Sequence, residues 1–154
     1  MAGANNRTPF LSGLSQALLS EILQHLLEYT RTGQDNVIDL RALPMTDDDL
    51  SDLDRRLGEG EVKANLNVSG KSEVWETSYA GVWRLRHYGN SDAVMVDEIV
   101  IASIPEILIS HKQDIELAVP RLEKDIQRVL NNAENNQGVF ASHTEQGDNN
   151  EPNV

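Results

Sequence analysis

The sequence predicts an α+β fold, an antiparallel four-stranded meander sheet packed with flanking helices. Three observations carry this. Apolar residues recur at helical spacing near both ends of the folded region, period-two segments fill its middle, and the turns joining those segments are too short for crossover helices. At 154 residues the chain can bury one core without disulfide or metal staples.

Taken in order, Met1 to Pro9 is polar, and residues 1–12 read as a flexible lead. Ser12 or Ser15 can cap a helix running to about Thr32. Leu14, Leu18, Ile22 and Leu26 repeat at spacing four, flanked by Leu19, Leu23 and Leu27, and Gly33 is placed to stop it. This broad face reads as core, with part of it free to dock a partner helix. Val37 to Leu40 reads as a short edge strand, which would be a fifth, or as a connector. Thr46 with Asp49 has capping-box spacing, Leu50, Leu53 and Leu57 form a stripe, and Gly58 ends that helix. Burying the stripe is expected to turn most of the seven acids Asp47, Asp48, Asp49, Asp52, Asp54, Glu59 and Glu61 outward.

Val62, Ala64, Leu66 and Val68 then alternate with polar residues, and Ser69-Gly70 turns the chain. Ser72 to Tyr79 and Gly81 to His87 make two more strands. After Gly89-Asn90-Ser91 comes a fourth, Ala93 to Ile101, changing face near Asp97-Glu98. Ile104-Pro105 breaks it. Ser110 with Gln113 suggests a capping box for a last helix reaching about Asn131, with Ile115, Ala118, Leu122, Ile126 and Val129 on one face. Pro120 inside it predicts a kink or two abutting helices. Residues 132–154 are rich in Asn, Gln, Gly and acids, lack Lys and Arg, and read as a disordered tail. One domain over residues 13–131 is therefore expected.

Composition narrows function. Twenty-five acids against 13 bases leave a net charge of −12, the wrong sign for a nucleic-acid footprint and the right one for a basic partner. The absence of cysteine excludes disulfides, thiolate metal sites, thiolate-held iron–sulfur clusters and cysteine nucleophiles. No segment approaches the roughly 20 apolar residues of a membrane span, and with no apolar signal core at its start the chain is expected to be cytoplasmic.

Chemical motifs are sparse. Gly70-Lys71-Ser72 lacks the preceding glycine of a phosphate loop, since Asn65 stands there, and strands flank it on both sides. The aspartates after Thr46 are interrupted by Leu50 and Leu53 at helical spacing, unlike a calcium loop. His25, His87, His111 and His143 are scattered, so no metal site is expected. Glu59, Glu61, Glu73 and Glu76 have no visible convergence for acid–base work, so the chain reads as a non-enzyme with no cofactor.

Four motifs fall in sequence: Leu57-Gly58-Glu59-Gly60-Glu61-Val62, Val74-Trp75-Glu76-Thr77, Gly81-Val82-Trp83-Arg84 and Ile104-Pro105-Glu106. In order and spacing, over residues 40–130, they resemble the C-terminal conserved region of the HupH/HyaF family of hydrogenase expression proteins, in the form of a short HupJ-like member with its own N-terminal helix. The resemblance implies an accessory protein for maturation of an uptake [NiFe] hydrogenase, which binds and shields the small-subunit precursor before export and works beside other hydrogenase accessory proteins. An alternative is metal-centre delivery, or a catalytic maturation factor acting on the large subunit. The residues expected to meet a partner are Glu59, Gly60, Glu61, Trp75, Glu76, Trp83 and Arg84. Glu59 and Glu61 are also open to a plainer role at a solvated turn, and the tryptophans to a role in the sheet core. Arg84 and Arg86 share one strand face and are placed to pair with acids across the sheet.

Overall fold

The computed structural model describes residues 8, 10–67 and 70–141, and at its centre lies one sheet of five antiparallel strands. The strands are β1 (Asn36–Asp39), β2 (Lys63–Asn67), β3 (Lys71–Glu76), β4 (Val82–Tyr88) and β5 (Val94–Ile101), in the order β1-β5-β4-β3-β2. The last four are the expected meander. The fifth is the short segment after the first helix, which pairs Ile38 with Ile99 at the far edge. Ile38 is buried and Val37 exposed, so one buried side chain is the only trace of alternation there.

The turns are tight. Thr77 N–H donates to the Val82 carbonyl at 2.9 Å, and Gly89 N–H to that of Ala93 at 2.9 Å. The expected Ser69-Gly70 turn falls partly outside the described residues. The break in β5 lies earlier than expected. Val96 pairs with His87 but Val94 with Tyr88, so Met95 is the extra residue. Beyond it Asp97, Ile99 and Ile101 face one side, and Glu98 and Val100 the other.

Each face of the sheet carries an apolar cluster. On one, Ile38, Val82, Ile99 and Ile101 meet Leu18, Ile22, Leu53 and Leu57 from the two helices α1 (Leu14–Thr32) and α2 (Asp47–Leu57). On the other, Val74, Trp83, Val100 and Ala102 pack with Leu66, Leu85 and Leu108.

Helix α1 starts from Gly13 at φ 91°, not from a serine cap. Both serines turn instead to α2. Ser12 donates its hydroxyl to Asp49 at 2.7 Å and its amide at 2.9 Å, and Ser15 donates to Asp52 at 2.7 Å. These bonds tie the segment leading into α1 and its first turn to the first two turns of α2. The Thr46 capping box is present, with the Asp49 amide on the Thr46 hydroxyl and the Thr46 amide on the Asp49 carboxylate, each at 3.1 Å.

Most of the acids point outward as expected, Asp47, Asp54, Glu59 and Glu61 among them, and Asp49 and Asp52 are the exceptions. Asp49 and Asp52 are buried between the helices, because each carboxylate answers a serine and a helix start or an arginine. The hydrogen bond from the Ser12 hydroxyl, with others from Ser12 and Thr46, holds the Asp49 pKa at about 2, below its ordinary 3.8, against the effect of burial. A carboxylate with a depressed folded pKa stabilises fully above its unfolded pKa and loses that contribution as pH falls. The melting temperature should therefore fall as pH drops from about 3.8 to about 2. Asp49→Asn should lower it at neutral pH and flatten this acid slope. An equally steep slope in the variant, followed by circular dichroism, would place the titration elsewhere.

The chain divides into two units, Met1–Ile109 and Ser110–Val154. The second contains α3 (Lys112–Ala141). It begins two residues after Ser110, with the His111 carbonyl accepting from the Asp114 and Ile115 amides, so the expected Ser110 cap is displaced. It runs through Pro120 as a single helix and continues to Ala141, ten residues beyond the expected stop at Asn131. Proline removes one donor, and the turns on both sides continue the ladder. Past Asn131, Ala133, Glu134 and Gln137 are adequate helix formers, and extension is cooperative once a helix exists. The remainder of the expected tail, residues 142–154, lies outside the described residues.

Candidate partner-binding cleft

Period-two pairing lines up two rows of side chains on the helix-bearing face of the sheet. Lys63, Trp75, Arg84 and Ile99 make one row, and Asn65, Glu73, Arg86 and Asp97 the next. Helix α2 covers the Ile99 end of the first row. Toward β2 the face opens into a cleft of about 200 Å³, whose floor is Trp75, Arg84 and Arg86. Asp54 and Leu57 of α2 form one wall, Lys63 and Glu73 another, and Gly58 and Glu59 the rim.

The rim is a loop clipped to the end of β3. Gly60 N–H donates to the Glu76 carbonyl at 2.7 Å, and Ser78 N–H to the Leu57 carbonyl at 2.9 Å. A Cβ on Gly60 would lie 2.5 Å from the Thr77 carbonyl oxygen, so only glycine permits this approach. Glu59 and Glu61 are both exposed on the loop.

The floor is an ion-pair network. Arg84, 1% exposed, grips Asp97 with Nε at 2.7 Å and Nη2 at 3.0 Å, and reaches Asp54 on α2 with Nη1 at 2.7 Å. Arg86 adds Nη2 at 3.3 Å from Asp97. Burial works against the Arg86 charge, but Asp97 and Tyr88 outweigh it and keep its pKa above the ordinary value. Its buried Nε has no hydrogen-bond partner. The Arg86 guanidinium lies 5.5 Å from the Trp75 ring centroid and the Lys63 ammonium 5.8 Å, so two cations flank the indole. The Lys71 ammonium 2.9 Å away holds the Glu73 carboxyl below its usual range, with help from the Tyr88 hydroxyl.

Of the residues singled out in the sequence, Glu59, Trp75 and Arg84 line this cleft, Gly60 fixes its rim and Glu61 follows on the exposed loop. Glu76 and Trp83 face the other side of the sheet. A Glu76 oxygen accepts from the Gly81 amide at 3.2 Å, and Trp83 is 5% exposed with its indole N–H on the Ala102 carbonyl at 3.0 Å. Trp83 and Arg84 are thus buried anchors of the sheet. Sequence reasoning did not single out Lys63 or Asp97 for this site. The signal for Asp97 was its place on β5, opposite the alternating arginines.

The described histidines lie on different segments of the chain. His25 sits 3.7 Å from Glu21 and from Glu28 on α1, the His87 Nδ1 meets the Ser72 hydroxyl at 2.8 Å on the far face, and His111 precedes α3. His143 lies outside the described residues. Among the described residues, no three His, Asp or Glu side chains form a group that could hold a metal ion.

Residues 14–129 match the model of the HupH hydrogenase expression protein, C-terminal conserved region. The chain belongs to the HupH family. The shared region takes in α1, which had read as an addition to a core over residues 40–130. The hydrogenase expression/formation protein HupH of Rhodobacter capsulatus is 31% identical over 73% of this chain and 41% of its own length. The hydrogenase-1 operon protein HyaF of Escherichia coli is 26% identical over 77% of this chain and 42% of its own. The chain therefore spans less than half of these curated relatives. A solved structure of the hydrogenase expression protein HupH from Thiobacillus denitrificans superposes with a TM-score of 0.74 at 38% identity, covering 76% of this chain and 98% of that one. In this HupH-family chain the shared region contains the whole cleft, from Asp54 to Arg86.

Proposed function

We propose that this chain is an accessory binding protein in the maturation of an uptake [NiFe] hydrogenase, holding and shielding the small-subunit precursor in the cytoplasm before export. The relatives' names, hydrogenase expression/formation protein and hydrogenase operon protein, support the process. The observation that carries a binding role is the cleft itself. It presents a half-buried tryptophan between cations, under an exposed acidic rim, on a rigid sheet. Its inner carboxylates Asp54, Asp97 and Glu73 are each engaged by a cation, an arrangement suited to positioning and recognition. Among the described residues no helix is long and apolar enough to cross a membrane.

Affinity capture of the tagged chain from its native host should bring down the small-subunit precursor, together with other hydrogenase accessory proteins. Trp75→Ala should weaken that capture. Recovery of the large subunit alone would overturn the shielding reading in favour of a factor acting on the metal centre.

The rim gives a kinetic prediction. Glu59 and Glu61 are exposed, so reversing them should leave the fold intact. Glu59→Lys with Glu61→Lys should slow association with a basic precursor segment, and the difference from wild type should shrink as salt screens it. Stopped-flow rates at two salt concentrations measure both. Equal rates for the folded double variant and wild type would remove the rim from the contact.

A further inference from the structure

Helix α3 carries an apolar seam of a different period from the rest of the chain. Ile115, Val119, Leu122, Ile126, Val129 and Ala133 follow steps of four and three in strict alternation. That is a repeat of 3.5 residues, the mark of helices that wind around each other, whereas a helix lying on a sheet drifts with 3.6. The five large side chains of the seam are each at least half exposed, from 50% at Ile126 to 67% at Val129. The family region ends at Val129, so the seam from Ile115 to Val129 belongs to the shared part of the chain.

We propose that this seam is a dimerisation surface, and that its occupant is α3 of a second copy of this chain, parallel and in register. Val119 and Ile126 stand at the position where β-branched side chains favour a parallel dimer, and Leu122 at the position where leucine does, a position it shares with the β-branched Ile115 and Val129.

The flanking charges select the direction. A parallel pair sets each flank residue against the one five places on in the other copy. His111 then meets Glu116, Ala118 meets Glu123 and Asp125 meets Leu130, with no acid opposite an acid. An antiparallel pair of the same seams brings Glu123 against Glu123 and Asp125 against Asp125. Lys124, Arg121 and Arg128 lie on the outer side, with Pro120, where a missing backbone bond faces water instead of the seam.

The full chain, run through light scattering or sedimentation across a concentration series, should reach twice the chain mass. Leu122→Asp with Ile126→Asp should return it to a single chain mass. Leu117→Asp, equally exposed but off the seam, should stay dimeric, which separates loss of the seam from a general effect of added charge. The chain has no cysteine, so Val129→Cys introduces one thiol. In register it faces its own copy and should form an intermolecular disulfide on mild oxidation, visible on a non-reducing gel. A single chain mass at every concentration would overturn the proposal, as would a dimer that survives the seam substitutions. So would equal dissociation by Leu117→Asp, or a dimer in which Val129→Cys fails to cross-link.

Discussion

Arg84→Ala is expected to cost about 3–5 kcal/mol of stability, the range for removing one partner of a buried ion pair. That is a large share of the roughly 5–15 kcal/mol that holds a domain of this size together. The reason is what stays behind. Asp97 is left beneath the helix layer with only the longer contact to Arg86 at 3.3 Å, and Asp54 loses its link from α2 to the sheet. Arg84→Lys should fall between wild type and Ala, because an ammonium cannot make the two parallel bonds to Asp97 and still reach Asp54. Arg84→Met paired with Asp97→Leu should be more stable than Arg84→Met alone, since the pair no longer leaves an orphan charge. Urea melts of the four proteins test this. A loss under about 1 kcal/mol for Arg84→Ala, the value of an exposed pair, would show that the network is solvated and not structural.

Local patterns carried most of the fold. Alternation exposed β2 to β5, because their short turns and apolar period are written in neighbouring residues. The capping box at Thr46 and the stop at Gly33 were legible for the same reason. β1 was left open between strand and connector because four residues with a single buried side chain have no measurable period. Two acids of α2 depart from the outward majority for a physical reason. At a helix start, carboxylates are favourable in water, and nothing nearby in sequence showed that Ser12 and Ser15, 37 residues away, would bury Asp49 and Asp52. The cleft was half visible. Glu59, Trp75 and Arg84 came from motif resemblance, and the arginine face from alternation. The closure of Arg84 on both Asp97 and Asp54 depends on how α2 lies over the sheet, a tertiary fact with no local signature.

The loop that forms the cleft rim should also tolerate little substitution at its two glycines. Gly58 stands at φ 63° and ψ −168°, a region almost closed to residues with a Cβ, and an added Cβ would lie 2.3 Å from the Ser78 hydroxyl. Gly58→Ala should therefore cost about 1–3 kcal/mol for the backbone, plus whatever the serine contact adds. Removing that hydroxyl with Ser78→Ala should recover only the second part. Gly60 differs. Its added Cβ would strike backbone atoms, the Thr77 carbonyl oxygen at 2.5 Å and that of Glu76 at 3.1 Å, and no side chain can be trimmed to make room. Gly60→Ala should push the loop away from β3, lose the bond from Gly60 N–H to the Glu76 carbonyl, and cost about 1–3 kcal/mol, as overpacking does. The two variants should diverge in function as well. With Ser78→Ala, Gly58→Ala keeps the clip between loop and strand and should bind the precursor at near-normal rates at temperatures where it is folded. Gly60→Ala moves the rim that carries Glu59 and Glu61, so its association should slow even below its melting temperature. Melting curves and association rates measured on the same preparations separate these effects. Normal binding by a folded but displaced Gly60→Ala loop would show that the partner reads the cleft floor and not its rim.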